Sequence, residues 1–187
     1  QSAVALPSCL SARYGLEDKF REFAAKTGIA YATGPMDKAV ASEADDQFLG
    51  MYIGIISTPG VKAAVESADV VIDFDVCFSD ENSGAWTSVI DPAKHIVIGA
   101  DFVRVGDLHA TPVSMADALD ALIEVSPTFT QPRLPVPSEE TPATSETDLV
   151  SSAAFYPRLA EFFKPGDVVV SETGLSKLQL ADLRMPD

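Results

Sequence analysis

A chain of 187 residues with 47% hydrophobic and 22% charged residues is long enough for one globular domain with an appendage, and too apolar to stay disordered. Its 28 acidic against 13 basic side chains leave a net charge of −15, which repels phosphate backbones and anionic membranes and argues against nucleic acid or a lipid surface as partner. No apolar run approaches the roughly 18–20 residues that span a bilayer, and the opening QSAVALPSCL lacks the basic region and long apolar core of a signal peptide. Two cysteines, Cys9 and Cys77, cannot make a disulfide framework, so a reducing, cytoplasmic setting is expected.

In chain order, Leu16, Phe20, Phe23, Ala24 and Thr27 recur at helical spacing, and Gly28 is placed to end that helix. A short strand is expected over 29–33. The run STPGVKAAVESAD predicts a second helix, capped by Ser57 or Thr58 with Pro59 in its first turn and Val61, Ala64, Val65 and Ala68 inward. DVVIDFDV (69–76) and KHIVIGA (94–100) read as strands, with a further short one over 102–105. Ser114 and Asp117 resemble a capping box opening the helix MADALDALIEV. Strands alternating with helices through short links predict an α/β fold: a Rossmann-like parallel sheet flanked by helices on both faces.

Residues 127–148 carry five prolines among many Ser, Thr and Glu, and are expected to form a linker. Beyond it, 149–163 reads as a helix with Phe155, Leu159 and Phe162 inward and Pro157 inside it, then a turn, then a strand over 167–171. The domains expected are thus 1–126, the linker 127–148, and a C-terminal helix–strand appendage over 149–187.

Few side chains in the first region suggest chemistry by themselves. Asp73 and Asp75 interrupt a strand. They read either as an acid–base pair or, the preferred expectation, as solvated groups at the sheet's carboxyl end. Glu43, Asp45 and Asp46 read as a solvated acidic face. His95 is expected at a strand start, and Trp86 and Phe78 in packing or at a subunit contact. No metal-ligand spacing, no GxGxxG fingerprint and no Gly-x-Ser-x-Gly elbow is present.

An ordered set of motifs does carry a resemblance. Pro35-Met36-Asp37-Lys38, Gly50-Met51-Tyr52-Ile53-Gly54, the helix-to-strand step from Pro59 to Asp69, and Ser79-Asp80-Glu81-Asn82-Ser83-Gly84 resemble the central domain of the thiamine diphosphate-dependent 2-oxoacid decarboxylases, most like the fungal pyruvate decarboxylases. KPGDVVVSETG (164–174) resembles the start of that family's diphosphate-binding domain. The resemblance implies a scaffold and regulatory fragment of a three-domain subunit. The parent would use thiamine diphosphate and magnesium, while the activating glutamate, the paired histidines and the magnesium-binding segment lie outside this sequence. It also implies that Glu172, Thr173, Gly174 and Ser176 approach the diphosphate, although Leu175 stands where fungal relatives often carry Thr. Arg13 and Cys9 align near residues that take part in substrate activation, with Tyr14 in place of a histidine. No catalytic residue and no metal ligand is expected here, and no cofactor is expected bound to this chain alone. The expected partners are the parent's catalytic domains and further copies of the chain. A non-catalytic nucleotide-binding or dimerisation module is the alternative, and a stand-alone enzyme using Asp73 and Asp75 is a third.

Overall fold

The computed structural model describes residues 1–38, 40–129, 134–135 and 150–186. A seven-stranded sheet runs through its centre. The strands are β1 (Ala3–Pro7), β2 (Ala30–Thr33), β3 (Phe48–Met51), β4 (Val70–Phe74), β5 (His95–Ile98), β6 (Val103–Val105) and β7 (Leu108–Ala110), in the order β3-β2-β1-β4-β5-β6-β7. The first five are parallel. The longest register is that of β1 with β4, from Ala3 opposite Val70 to Pro7 opposite Phe74. The last two strands run antiparallel to their neighbours. They add an antiparallel edge to the expected Rossmann-like parallel sheet, and for β6 and β7 the direction follows from the two-residue turn at Gly106 (φ 55°) and Asp107, which can join only antiparallel strands.

Side-chain alternation divides the core between the two faces of the sheet. One face carries Ala5, Tyr31, Phe48, Ile72, Phe74 and Ile98. It is covered by α2 (Glu17–Thr27) and α4 (Met115–Val125) through Phe20, Phe23, Met115 and Leu119. Rings dominate this face. Phe20 meets Tyr31 and Phe74 edge-on at centroid distances of 5.7 and 5.4 Å. The other face carries Val4, Leu6, Ala32, Leu49 and Val71 under α3 (Val61–Ser67). A short helix α1 (Cys9–Arg13) links β1 to α2.

Several helix boundaries fall where the sequence places them. Gly28 closes α2 in the left-handed conformation (φ 68°), its N–H donating to Ala24 O. Ser114 Oγ accepts from Asp117 N at 3.1 Å and donates to Asp117 Oδ2 at 2.7 Å, opening α4. The start of α3 differs. Its cap is Gly60 (φ 84°), and Thr58 serves instead as acceptor for Met51 N at 3.0 Å.

After residue 150 come α5 (Ser152–Phe162) and α6 (Leu175–Asp182). α5 buries no residue. Phe155 and Phe162 face solvent, contrary to the inward orientation expected for them, because nothing among the described residues lies over that side. The run 167–171 pairs with no strand among the described residues, and Val168 and Val170 are 88% and 92% exposed. Of the expected linker only 127–129 and 134–135 are described, with Leu134 packed against the α3 face of the core; the rest lies outside the described residues.

The core makes one prediction. Phe74 is fully buried among Phe20, Phe23 and the β1–β4 ladder. Phe74→Ala should destabilise the chain by about 4 kcal/mol, read as a lower urea midpoint at unchanged slope.

Candidate functional site at the carboxyl ends of the strands

In open α/β sheets the strand order reverses at one point, and ligands gather there, outside the carboxyl ends. In this sheet the reversal lies between β1 and β4. The residues leaving those strands are Ser8 and Asp75, with Gly34 and Asp37 after β2. They turn toward one another. Ser8 Oγ donates to Phe74 O at 2.6 Å and lies 3.1 Å from Asp75 O. Asp37 is buried, with Oδ1 accepting from Cys9 N at 2.6 Å and Oδ2 from Gly34 N at 3.0 Å. It thereby ties the starts of two loops together. The space left, bounded by Pro7, Gly34, Asp37, Tyr52, Val76 and Asn82, is about 10 Å³, room for a water molecule and not for a nucleotide.

Asp73 departs from expectation. It is 2% exposed rather than solvated. Its Oδ1 accepts from Val76 N at 2.6 Å and its Oδ2 lies 3.1 Å from His95 Nε2. His95 does stand at the start of β5. Asp75 is half-buried at the end of β4 with φ 62°, and Tyr14 Oη reaches its Oδ2 at 3.4 Å. The two aspartates follow each other along one strand, yet one is consumed by a backbone N–H and a histidine. Burial pushes the Asp73 carboxyl above its usual range against the opposing effects of His95 and Val76 N–H. Burial does the same to Asp37, countered by the N–H groups of Cys9 and Gly34.

Cys9 and Arg13 share α1, Cys9 half-buried and Arg13 exposed. Burial first and Asp37 second raise the Cys9 thiol, so it is a poor source of thiolate. Cys9 and Cys77 are both free thiols. Trp86 is 65% exposed rather than packed, on a loop held with Ala85 and Trp86 at positive φ.

Glu172, Thr173, Gly174 and Ser176 come together in one turn entering α6, with Gly174 as its cap residue. Ser176 Oγ donates to Glu172 Oε1 at 3.0 Å. A Cβ at position 174 would stand 2.1 Å from that carboxylate oxygen, so a larger residue there would push the Glu172 carboxylate aside. Among the described residues no hydrogen bond or ion pair is seen between this turn and Arg13 or Cys9.

Sequence reasoning missed a third constellation. Glu43, read as part of a solvated face, is 4% exposed and lies 2.7 Å from Lys38 Nζ through Oε1. Lys38 in turn reaches the carbonyls of Ala181 and Leu183. Beside it opens a cleft of about 670 Å³ between the sheet domain and residues 163–186. The available signal was Lys38 itself, in the Pro-Met-x-Lys motif.

Residues 10–125, well over half of the chain, match the family described as "Thiamine pyrophosphate enzyme, central domain". The chain belongs to the thiamine pyrophosphate enzymes. It is 34% identical over 164 residues to the alpha-keto-acid decarboxylase of Mycobacterium leprae, covering 84% of this chain and 28% of that enzyme. It is 27% identical to the pyruvate decarboxylase of Candida albicans, covering 98% of this chain and 33% of that one. With pyruvate decarboxylase isozyme 2 of Saccharomyces cerevisiae the identity is 24%, over 100% of this chain and 34% of the other. The chain thus spans about a third of the length of the curated relatives it matches.

Family membership implies thiamine pyrophosphate and magnesium in the parent enzyme. The residues present here do not by themselves fit that group. Glu172 holds a carboxylate where a diphosphate would need positive or N–H partners, and it takes up the Ser176 hydroxyl. Lys177, the nearest cation in sequence, is paired with Glu81. Among the described residues no cluster of three or more His, Cys, Asp or Glu could hold a metal ion, and no helix is long and apolar enough to cross a membrane.

The buried carboxyl of Asp73 gives a pH signature. A group that holds its proton more tightly folded than unfolded makes the native state lose stability as pH rises from about 4 through its raised value. Asp73→Asn keeps an acceptor for Val76 N–H but does not titrate. Relative to that variant, the wild type should lose stability as pH rises above about 4 in urea titrations; the opposite slope would mean that the His95 contact outweighs burial.

Proposed function

We propose that this chain is the central part of a thiamine diphosphate- and magnesium-dependent 2-oxoacid decarboxylase acting on pyruvate. It supplies the scaffold and an interdomain regulatory surface and is inactive alone. The observation that carries this reading is coverage: similarity to pyruvate decarboxylases runs along 98–100% of this chain while accounting for 33–34% of theirs. The filled crevice between β1 and β4 supports a structural role, because the sheet's customary ligand position is closed by Ser8, Asp37 and Asp73. It also speaks against the alternative of a nucleotide-binding module.

In this reading the 172–176 turn is one wall of the diphosphate pocket, and the charged and N–H partners that the diphosphate needs come from the parent's other domains. Arg13, exposed at the end of α1, faces an effector carboxylate, which a guanidinium can hold bidentately. Cys9 supports that surface through its backbone, its N–H held by Asp37. The partners are the parent's catalytic domains, in the cytoplasm. In their absence Val168, Val170 and Phe162 leave the chain prone to self-association.

The test is direct. Incubated with pyruvate, thiamine diphosphate and magnesium, the chain should release no acetaldehyde, whereas the full polypeptide that contains it should; turnover by the chain alone overturns the reading. Analytical ultracentrifugation of the chain should show association that rises with concentration.

A further inference from the structure

The contacts made by residues 175–186 converge on one side chain. Lys38, in the loop after β2, places its ammonium 2.8 Å from Ala181 O, 2.9 Å from Leu183 O and 2.9 Å from Glu43 Oε2. An ammonium has three hydrogens, and each has a partner here. The two carbonyls lie at the carboxyl end of α6, where backbone acceptors lack intrahelical donors and the helix dipole favours a cation. Glu43, nearly sealed from water, completes the joint by accepting from Met185 N at 2.8 Å.

Other contacts surround this joint. Thr58 Oγ1 donates to Asp182 Oδ1 at 2.6 Å. The Arg184 guanidinium lies 5.4 Å from the centroid of the Phe48 ring. Leu178 and Ala181 pack on Met51 and Ile53. Lys177 pairs with Glu81 at the other end of α6. An eight-residue helix is a rigid rod of about 12 Å. Fixing its last turn therefore fixes its first, and Gly174 with Glu172 stands at that first turn.

We propose that Lys38 is a positioning residue: by holding the carboxyl end of α6 against β3 and Glu43, it sets where the Glu172–Gly174 turn stands relative to the sheet. This deepens the reading of that turn as part of a cofactor pocket, and its functional consequence rests on that reading. The mechanical part does not. Without Lys38, Glu43 is a buried carboxylate with no cation, and the cheapest relief is for residues 175–186 to lift away and admit water. The sheet beneath keeps its own core on both faces, and only Met51 and Ile53 lose the cover of Leu178 and Ala181.

Hydrogen exchange on this chain, followed by mass spectrometry without any cofactor, tests it. In Lys38→Met the amides of α6 should exchange at least about tenfold faster while those of β1 and β4 keep their protection, as expected for release of one local unit. Thr58→Val, which cuts a neighbouring tether and leaves Glu43 paired, should loosen α6 less. Lys38→Arg, which keeps the charge and several donors, should restore most of the α6 protection. Unchanged α6 exchange in Lys38→Met overturns the proposal. So does equal acceleration in β4, which would make Lys38 a support of global stability only. Because no cofactor enters the measurement, its outcome is independent of whether the turn meets a diphosphate.

Discussion

The parallel pairing of β1 with β4 is the constraint on which everything else in this molecule rests. Five consecutive residues of each strand are in register, and neither strand reaches an edge. Their side chains must be apolar on both faces, which Val4, Ala5, Leu6, Val71 and Ile72 satisfy. Once these strands lie side by side, their ends are committed to the same spot. Ser8 Oγ then addresses the Phe74 and Asp75 carbonyls while accepting from Leu10 N, and Asp73 meets Val76 N–H and His95. The topological switch point, open in nucleotide-binding relatives of this architecture, is thereby closed with the chain's own polar groups.

Closure comes with an electrostatic consequence. Asp37, Asp73 and Asp75 put three carboxyl groups around the ends of three adjacent strands. Each buried one is held by backbone N–H groups rather than by a lysine or arginine, with His95 the only basic ring in contact. A phosphate approaching this end would meet these carboxylates. Three cationic groups, Lys38, Lys177 and Arg184, act as fasteners between the C-terminal segment and the sheet domain. The molecule separates a sealed strand end from a fastened flank.

Much of the fold was legible because it is local. Helical stripes, the Gly28 stop and the Ser114 cap depend on residues a few positions apart, and VVI and IVI mark buried strands. β1 and β3 were harder to see. AVALP is short and rich in alanine, and FLGM contains a glycine; both are strands through tertiary burial rather than propensity. The antiparallel turn at Gly106 was overlooked because a strand pattern carries no direction. Of the site, the ordered motifs pointed to the family but not to what its residues do in this chain. Asp73 looked solvated because sequence does not show that His95 and Val76 N–H lie beside it. Glu43 looked solvated because its partner is near in sequence but its burial depends on residues 181–185. Phe155 and Phe162 failed for the converse reason: helical periodicity identifies an apolar side without showing whether anything covers it.

The uncovered valines at 168–170 have a cellular meaning. A run of three β-branched residues held out in water, beside exposed Phe162, is the kind of surface that folding chaperones and quality-control proteases act upon in incompletely assembled proteins. The lifetime of this polypeptide in a cell is therefore tied to whether that run stays uncovered.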